Sequence, residues 1–290
     1  MMTRGKQSAK TSTTEKERRQ QTVIGVAFTV IVVITLALIG VLGYKASRPK
    51  VQVSTADAYA ALQQVKEKPA NATDKGGIAV SVDGAPKTNV PTIENYVDPL
   101  CPACAQVDHA LNSVFEELFN AGQINFEIHP LSFLDKASSD KYSSRASSAL
   151  LYIAEHDPKH LVIFMQNLYA KDYQPSESGY QPTSDDRIMQ QAIKAGVLPK
   201  IAKKAMSGQY EEWVEKSTTY TINRKELQDP ARGSEGFATP LIRINKHIWS
   251  MAKLNLIELP ARFTDSLGLS TADVGNAEVM PSIGATGKPL

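Results

Sequence analysis

Apolar and polar positions along the chain change rhythm several times. Residues 23–43 read VIGVAFTVIVVITLALIGVLG, 21 residues without a charge. At ~1.5 Å rise per residue a helix of this length spans a hydrocarbon core of roughly 30 Å, so the pattern predicts one transmembrane helix over 22–43. A cleaved leader is the competing reading, but its apolar core runs only about 7 to 15 residues and ends at a small-x-small site. Gly43, Tyr44, Lys45 and Ala46 offer none at the right distance. Residues 44–76 turn polar, with Ala60, Leu62 and Val65 on a short predicted helix over 55–66 followed by the loop PANATDKGG, and they are expected to form a stalk.

From residue 77 the periods of two and of three to four alternate. Strand-like runs at 77–82 and 89–97 flank the turn signal Asp83-Gly84. Val107, Leu111, Phe115 and Leu118 then recur at helical spacing until Gly122, and Ile124, Phe126 and Ile128 alternate as a strand over 123–131. The order is β, β, α, β. Residues 135–208 read as a helical insertion: Tyr142, Ala146, Leu150 and Ile153 share one face, Asp157-Pro158 opens the next helix, and Ser184 precedes DDRIMQQAIKAG. A longer helix over 209–227 is expected to bury Tyr210, Trp213, Val214 and Ile222. PLIRIN and a returning strand near 247–251 form a hairpin turned at Asn245-Lys246. A last helix covers 259–267 with Pro260 in its first turn, and the small, polar stretch 269–290 is expected to be a flexible tail. The expected organisation is a basic N-terminus at 1–21, the membrane helix at 22–43, the stalk at 44–76, a folded domain at 77–268 and the tail.

Charge orients this arrangement. Residues 1–21 carry Arg4, Lys6, Lys10, Lys16, Arg18 and Arg19 against Glu15 and Glu17, whereas only Lys45, Arg48 and Lys50 closely follow the apolar run. The positive-inside rule therefore puts the N-terminus in the cytoplasm and the C-terminal domain outside the cell membrane. The net charge of +2 becomes −2 once the first 21 residues are set aside, with 26 bases against 28 acids. Such a body lacks the clustered cations that phosphate neutralisation needs, so no nucleic-acid partner is expected.

Only two cysteines occur, Cys101 and Cys104, and they fall where a strand passes into a helix. A sulfur at a helix N-terminus sits near unsatisfied N–H groups and the positive end of the dipole, which favours its thiolate. Cys104, one turn later, is near enough to attack a mixed disulfide formed by Cys101. Pro102 suits the first helical turn. The helix start is expected to face solvent and its second turn the sheet, leaving Cys101 exposed and Cys104 shielded. Two other uses of such a pair remain open: half of a zinc site, for which no paired-His pattern is present, and a purely structural bridge, although so short a loop removes little unfolded-chain entropy.

DPLCPAC after a strand, the helical insertion after the next strand, the SSRASSALLYIAEH helix and Ala238-Thr239-Pro240 before a hairpin together resemble the DsbA-like thiol:disulfide oxidoreductases of bacterial envelopes. The resemblance covers roughly 77–268 and implies an α/β thioredoxin-like fold, a central mixed sheet with a helical insertion, here preceded by one transmembrane helix. It implies Cys101 as nucleophile, Cys104 as resolving cysteine, and a cis Pro240 facing the first sulfur with the Thr239 backbone turned toward substrate. The chain departs from the family at Ala103, where a His or aromatic residue is common, so the Cys101 thiolate is expected to rely chiefly on the helix terminus. Asp98, three before Cys101, is read as a helix cap. His109 is read as a surface residue, and Glu94 as solvent-facing in preference to a buried proton acceptor for Cys104.

The function this implies is oxidation of cysteine pairs in exported polypeptides, without metal or organic cofactor, with recycling by a quinone-linked membrane oxidase of the DsbB or vitamin K epoxide reductase type. A reductase or isomerase is the rival within the class, because direction follows from potentials and partners. A membrane-tethered chaperone or binding module with a structural disulfide is the rival outside it.

Overall fold

The computed structural model describes residues 53–233 and 235–290. The expected basic N-terminus and membrane helix lie outside the described residues. Among the described residues no helix is long and apolar enough to cross a membrane.

Five strands form one mixed sheet: β1 (Ile78–Val80), β2 (Thr92–Val97), β3 (Asn125–Pro130), β4 (Leu241–Ile244) and β5 (His247–Trp249), in the order β1-β3-β2-β4-β5. Only β2 and β3 run parallel, with Thr92 opposite Asn125 and Val97 opposite Pro130; the other pairs are antiparallel. Parallel neighbours need a long crossover, and α2 (Pro102–Asn120) supplies it. Asn245 and Lys246 turn the β4–β5 hairpin, both with positive φ. That is the conformation a two-residue hairpin turn of matching twist demands.

Central strand β2 is covered on both faces. Asn95 and Val97 face α2, whereas Tyr96 joins Leu131, Leu227 and Leu241 on the opposite side. Along α2 the buried positions are Cys104, Ala105, Asp108, Leu111, Phe115, Leu118 and Phe119, with Val107 only half-buried. Phe115 wedges edge-on between Phe126 of β3 and Phe263 of α8 (Leu259–Ser266), with both ring centroids 5.1 Å away. This packing sets the height of α2 over the sheet, and with it the place of its first turn.

The insertion consists of α3 (Tyr142–His156), α4 (Leu161–Leu168), α5 (Asp185–Lys194) and α6 (Pro199–Ala205). It is followed by α7 (Glu211–Ile222), shorter than the helix expected there. Tyr210, Trp213 and Val214 are buried as expected, but Ile222 ends the helix 44% exposed.

Two parts of the expected organisation need correction. Residues 53–76 are no stalk: α1 (Thr55–Gln63) packs on α7, burying Ala58 and Leu62, while the Thr55 hydroxyl donates to the Asn223 carbonyl at 2.7 Å. Ala72 then bridges Ile78 at the sheet edge, so the folded unit begins near residue 53. Nor is 269–290 a flexible tail. Gln123 Nε2 donates to the carbonyls of Asp273, Asn276 and Val279, and its Oε1 accepts from the Gly275 N–H. Asn245 Nδ2 holds the Gly284 and Gly287 carbonyls at 2.9 and 2.8 Å. Two side-chain amides, Gln123 buried and Asn245 half-buried, thus pin backbone carbonyls that composition alone leaves looking solvated.

Candidate active site

Strand β2 ends at Val97, and Asp98-Pro99-Leu100 turns the chain into α2. Asp98 organises that turn. Its carboxylate is fully buried and accepts from the Leu100 and Leu134 N–H groups, each at 3.0 Å, and from the Ser143 hydroxyl at 2.6 Å. Its carbonyl accepts from the Cys101 N–H and the Tyr169 hydroxyl. Asp98 therefore ties the turn to α3 and to the loop after β3, and it does not cap α2 as expected. The cap is Cys101 itself, in extended conformation, whose Sγ accepts from the Cys104 N–H at 3.4 Å. Pro102 occupies the first helical turn, where no N–H is required.

Across from Cys101 stands the segment before β4. The Thr239-Pro240 peptide is cis. The Thr239 hydroxyl donates to Cys101 Sγ at 3.4 Å, and the Thr239 carbonyl lies 4.0 Å from the same sulfur. The expectation of an exposed Cys101 is not met, for it retains 7% exposure against 2% for Cys104. The facing Thr239 segment covers what a helix terminus alone leaves open. Pro102, Gln174 and Pro175 border a groove of about 570 Å³ beside the site, and Gln174 Nε2 holds the Pro99 and Cys101 carbonyls.

The two sulfurs are electrostatically unlike. Cys101 is lowered from 9.0 to about 6, first by hydrogen bonding from the Cys104 thiol, then by the Thr239 hydroxyl and the N–H groups of Cys104 and Ala103, against an opposing burial cost. The expected dominance of the helix terminus is thus modified: its N–H groups contribute, but the Cys104 thiol contributes most. Ala103 is exposed and adds only its backbone. Burial, and then the neighbouring Cys101, drive Cys104 well above its ordinary value. The arrangement offers one sulfur ready as a thiolate and a second held as a thiol behind it.

Other candidates fall elsewhere. Glu94 is neither solvent-facing nor near Cys104. It is 4% exposed on the opposite face of the sheet, bonded to the Tyr96 hydroxyl at 2.9 Å and to Arg243 at 2.7 Å. His109 is not a free surface residue, since its Nε2 meets the Tyr169 carbonyl at 2.7 Å. Asp108 escaped sequence reasoning altogether. It is 5% exposed, neither carboxylate oxygen has a partner, and burial raises it from 3.8 to about 7. The visible signal was an acidic residue four after Cys104, inside the row that continues through Leu111 and Phe115.

Residues 79–254 match the family model described as thioredoxin. Among curated proteins, the serine/threonine-protein kinase PknE of Mycobacterium tuberculosis is 30% identical over 125 residues, 42% of this chain and 21% of the kinase. The chain therefore spans about a fifth of the length of the curated relatives it matches. Among solved structures, oxidised DsbA from Mycobacterium tuberculosis superposes with a TM-score of 0.54 at 24% identity, covering 69% of this chain and 97% of that one. Reduced DsbG, a disulfide bond oxidoreductase of the same organism, gives 0.52 at 24% identity, over 71% and 94%. The thiol-disulfide oxidoreductase MdbA of Corynebacterium diphtheriae gives 0.50 at 19%, over 69% and 97%. At these identities the likeness is one of fold.

Proposed function

The chain belongs to the thioredoxin family and carries the dithiol of a thiol:disulfide oxidoreductase, and from that premise we propose that it oxidises cysteine pairs in exported polypeptides. The observation that carries this reading is the asymmetry of the two sulfurs: Cys101 is held near 6 by four lowering contacts, while Cys104 is kept protonated by burial. A thiolate stabilised in the reduced form makes the corresponding disulfide a better oxidant, as the span from thioredoxin, about 7, to DsbA, about 3.5, illustrates.

In the forward reaction a substrate thiolate attacks Cys101 Sγ of the Cys101–Cys104 disulfide. The bond between the two enzyme sulfurs breaks, Cys104 departs with the electron pair and takes up a proton, and a mixed disulfide forms. A second substrate thiolate then attacks the substrate sulfur and releases Cys101 as thiolate. The two substrate thiolates have lost two electrons in forming their disulfide, and the enzyme pair has gained them, leaving Cys104 as a thiol with the proton it took up and Cys101 as a thiolate. An extended substrate strand alongside Thr239 supplies backbone pairing next to the reactive sulfur. Reoxidation requires an acceptor, which we assign to a quinone-linked oxidase in the same membrane, of the DsbB or vitamin K epoxide reductase type. Anchoring through residues 22–43, N-terminus in the cytoplasm, would keep the two in one plane. Charge and hydropathy of the N-terminal sequence support that placement.

The test is the potential of the Cys101/Cys104 pair in glutathione buffers, together with its oxidation state trapped in growing cells. An oxidase is expected between about −270 and −120 mV, the handles of thioredoxin and DsbA, and predominantly disulfide in cells. A potential at or below the lower bound with a reduced pair in cells would make the protein a reductase. An unchanged cellular role after replacing both cysteines by Ser would make it a binding module.

A further inference from the structure

The segment that faces Cys101 is fixed by neither of the strands beside it. Strand β4 pairs with β2 from Leu241, opposite Tyr96, and with β5 from Ile242, opposite Trp249. Thr239 and Pro240 therefore lie outside both ladders. The Thr239 hydroxyl meets Cys101 Sγ at 3.4 Å from a stretch of backbone that the sheet does not anchor. A hydrogen bond weakens steeply as its distance and angle drift, so this contact depends on whatever sets the place of the segment.

The loop that precedes it supplies such a support. Leu227 is buried at its start, and Phe237 packs edge-on against Tyr96 at its end. Between them Asp229 opens a single 3-10 turn, Pro230–Arg232, by accepting from the Ala231 N–H at 3.0 Å. The turn carries Arg232 to the Pro240 carbonyl, to which its guanidinium donates. Asp229 is 6% exposed and also accepts from the Ser250 hydroxyl, just past β5, at 2.6 Å. Its Oδ2 lies 4.0 Å from Arg232 Nε. Ser250, Asp229, Arg232 and the Pro240 carbonyl thus form one chain of contacts that ends a residue away from the Thr239 hydroxyl. A planar guanidinium suits this place, because its fork serves a carboxylate and a carbonyl at once in fixed geometry.

We propose that Arg232 is a positioning residue of the dithiol site: with Asp229 behind it, it holds the Pro240 carbonyl and so keeps the Thr239 hydroxyl in reach of Cys101 Sγ. Its contacts are with that carbonyl and with Asp229, and its influence on the sulfur passes through Thr239. The same contact steadies the backbone edge along which an extended substrate would pair. Arg232 is also a cation, and a nearby cation by itself favours a thiolate. Positioning and charge make different predictions when the Thr239 hydroxyl is absent.

The test is the pH profile of alkylation of Cys101 by iodoacetamide in the reduced full-length protein in detergent. Arg232→Met, which keeps the stem and loses the donors, should move the midpoint up from about 6 by about half a unit. Arg232→Lys, which keeps the charge but not the fork, should move it nearly as far. The Lys variant carries the same test should the Met variant fold poorly. In a Thr239→Val background, Arg232→Met should add less than about 0.2 unit, because the group it positions is gone. A Lys variant at the wild-type midpoint, or a shift that adds in full to that of Thr239→Val, assigns the effect to charge and overturns the positioning role. An unshifted Met variant overturns it as well. The part of Arg232 in turnover rests on the exchange reaction proposed above, whereas the midpoint needs only the Cys101 thiol. A wild type that fails to equilibrate with glutathione therefore overturns the exchange reading, and the alkylation profile still decides the role of Arg232.

Discussion

At the residue scale the site turns on how one sulfur is solvated. Cys101 has lost nearly all contact with water and still favours its thiolate, because each lost water is replaced by a fixed donor: the Cys104 thiol, the Thr239 hydroxyl and two backbone N–H groups. Thr239 is the donor most easily removed without disturbing the helix. Thr239→Val should raise Cys101 from about 6 by roughly half to one unit, the worth of one hydrogen bond to a charged group less what solvent recovers. The pair should become less oxidising by about 15 to 30 mV. Thiolate absorbance against pH and a glutathione titration measure the two, and an unaltered pKa would remove the Thr239 hydroxyl from the site. The cysteine pair and Pro102 were legible because their chemistry is local, set by a helix start. Asp108 was not, because a carboxylate within an apolar row reads equally well as the edge of a solvated face until the neighbours are known.

At the scale of elements, helix and strand types followed closely from periodicity, and the departures have a common cause. The short segment 55–66 reads as a helix with a weak apolar face, and so as a spacer. In the fold α1 meets a matching face on α7, and three apolar side chains suffice: Ala58, Leu62 and Val65 at 1%, 0% and 5% exposure. Leu62→Ala should therefore destabilise the protein by about 3 kcal/mol, as truncation of a fully buried leucine does. A shift in urea midpoint at unchanged slope measures it, and a neutral result would return residues 53–76 to a mere linker. Element ends were less legible. The helix expected over 209–227 stops at Ile222, after which Arg224 is buried and reaches the Tyr96 hydroxyl across 128 positions of sequence, a partner no local pattern reveals.

For the whole molecule, buried acids make stability depend on pH. Asp98 and Asp108 are both raised by burial from 3.8 to about 7. A group whose folded pKa is raised keeps its stabilising contribution below its unfolded pKa and loses it as pH rises through the folded one. The oxidised protein, whose cysteines no longer titrate, should accordingly weaken between pH 5 and pH 8 by about 2 kcal/mol for each carboxyl. Glu127, lowered to about 2, changes its contribution only below about 4.5 and leaves this window undisturbed. Asp108→Asn should remove about half of the slope, and equal urea midpoints at the two pH values would show that neither carboxyl is held as described. The sequence by itself determined the order of strands and helices, the hairpin at Asn245-Lys246 and the position of the dithiol at a helix start, because each depends on residues close along the chain. Only the tertiary structure decided that Thr239 covers Cys101, that Asp98 braces the turn instead of capping it, that Glu94 turns away from the site and Asp108 into it, and that both flanks of the domain are folded. Each of these depends on which distant groups replace water around a polar atom, and burial, unlike periodicity, is a property of the assembled chain.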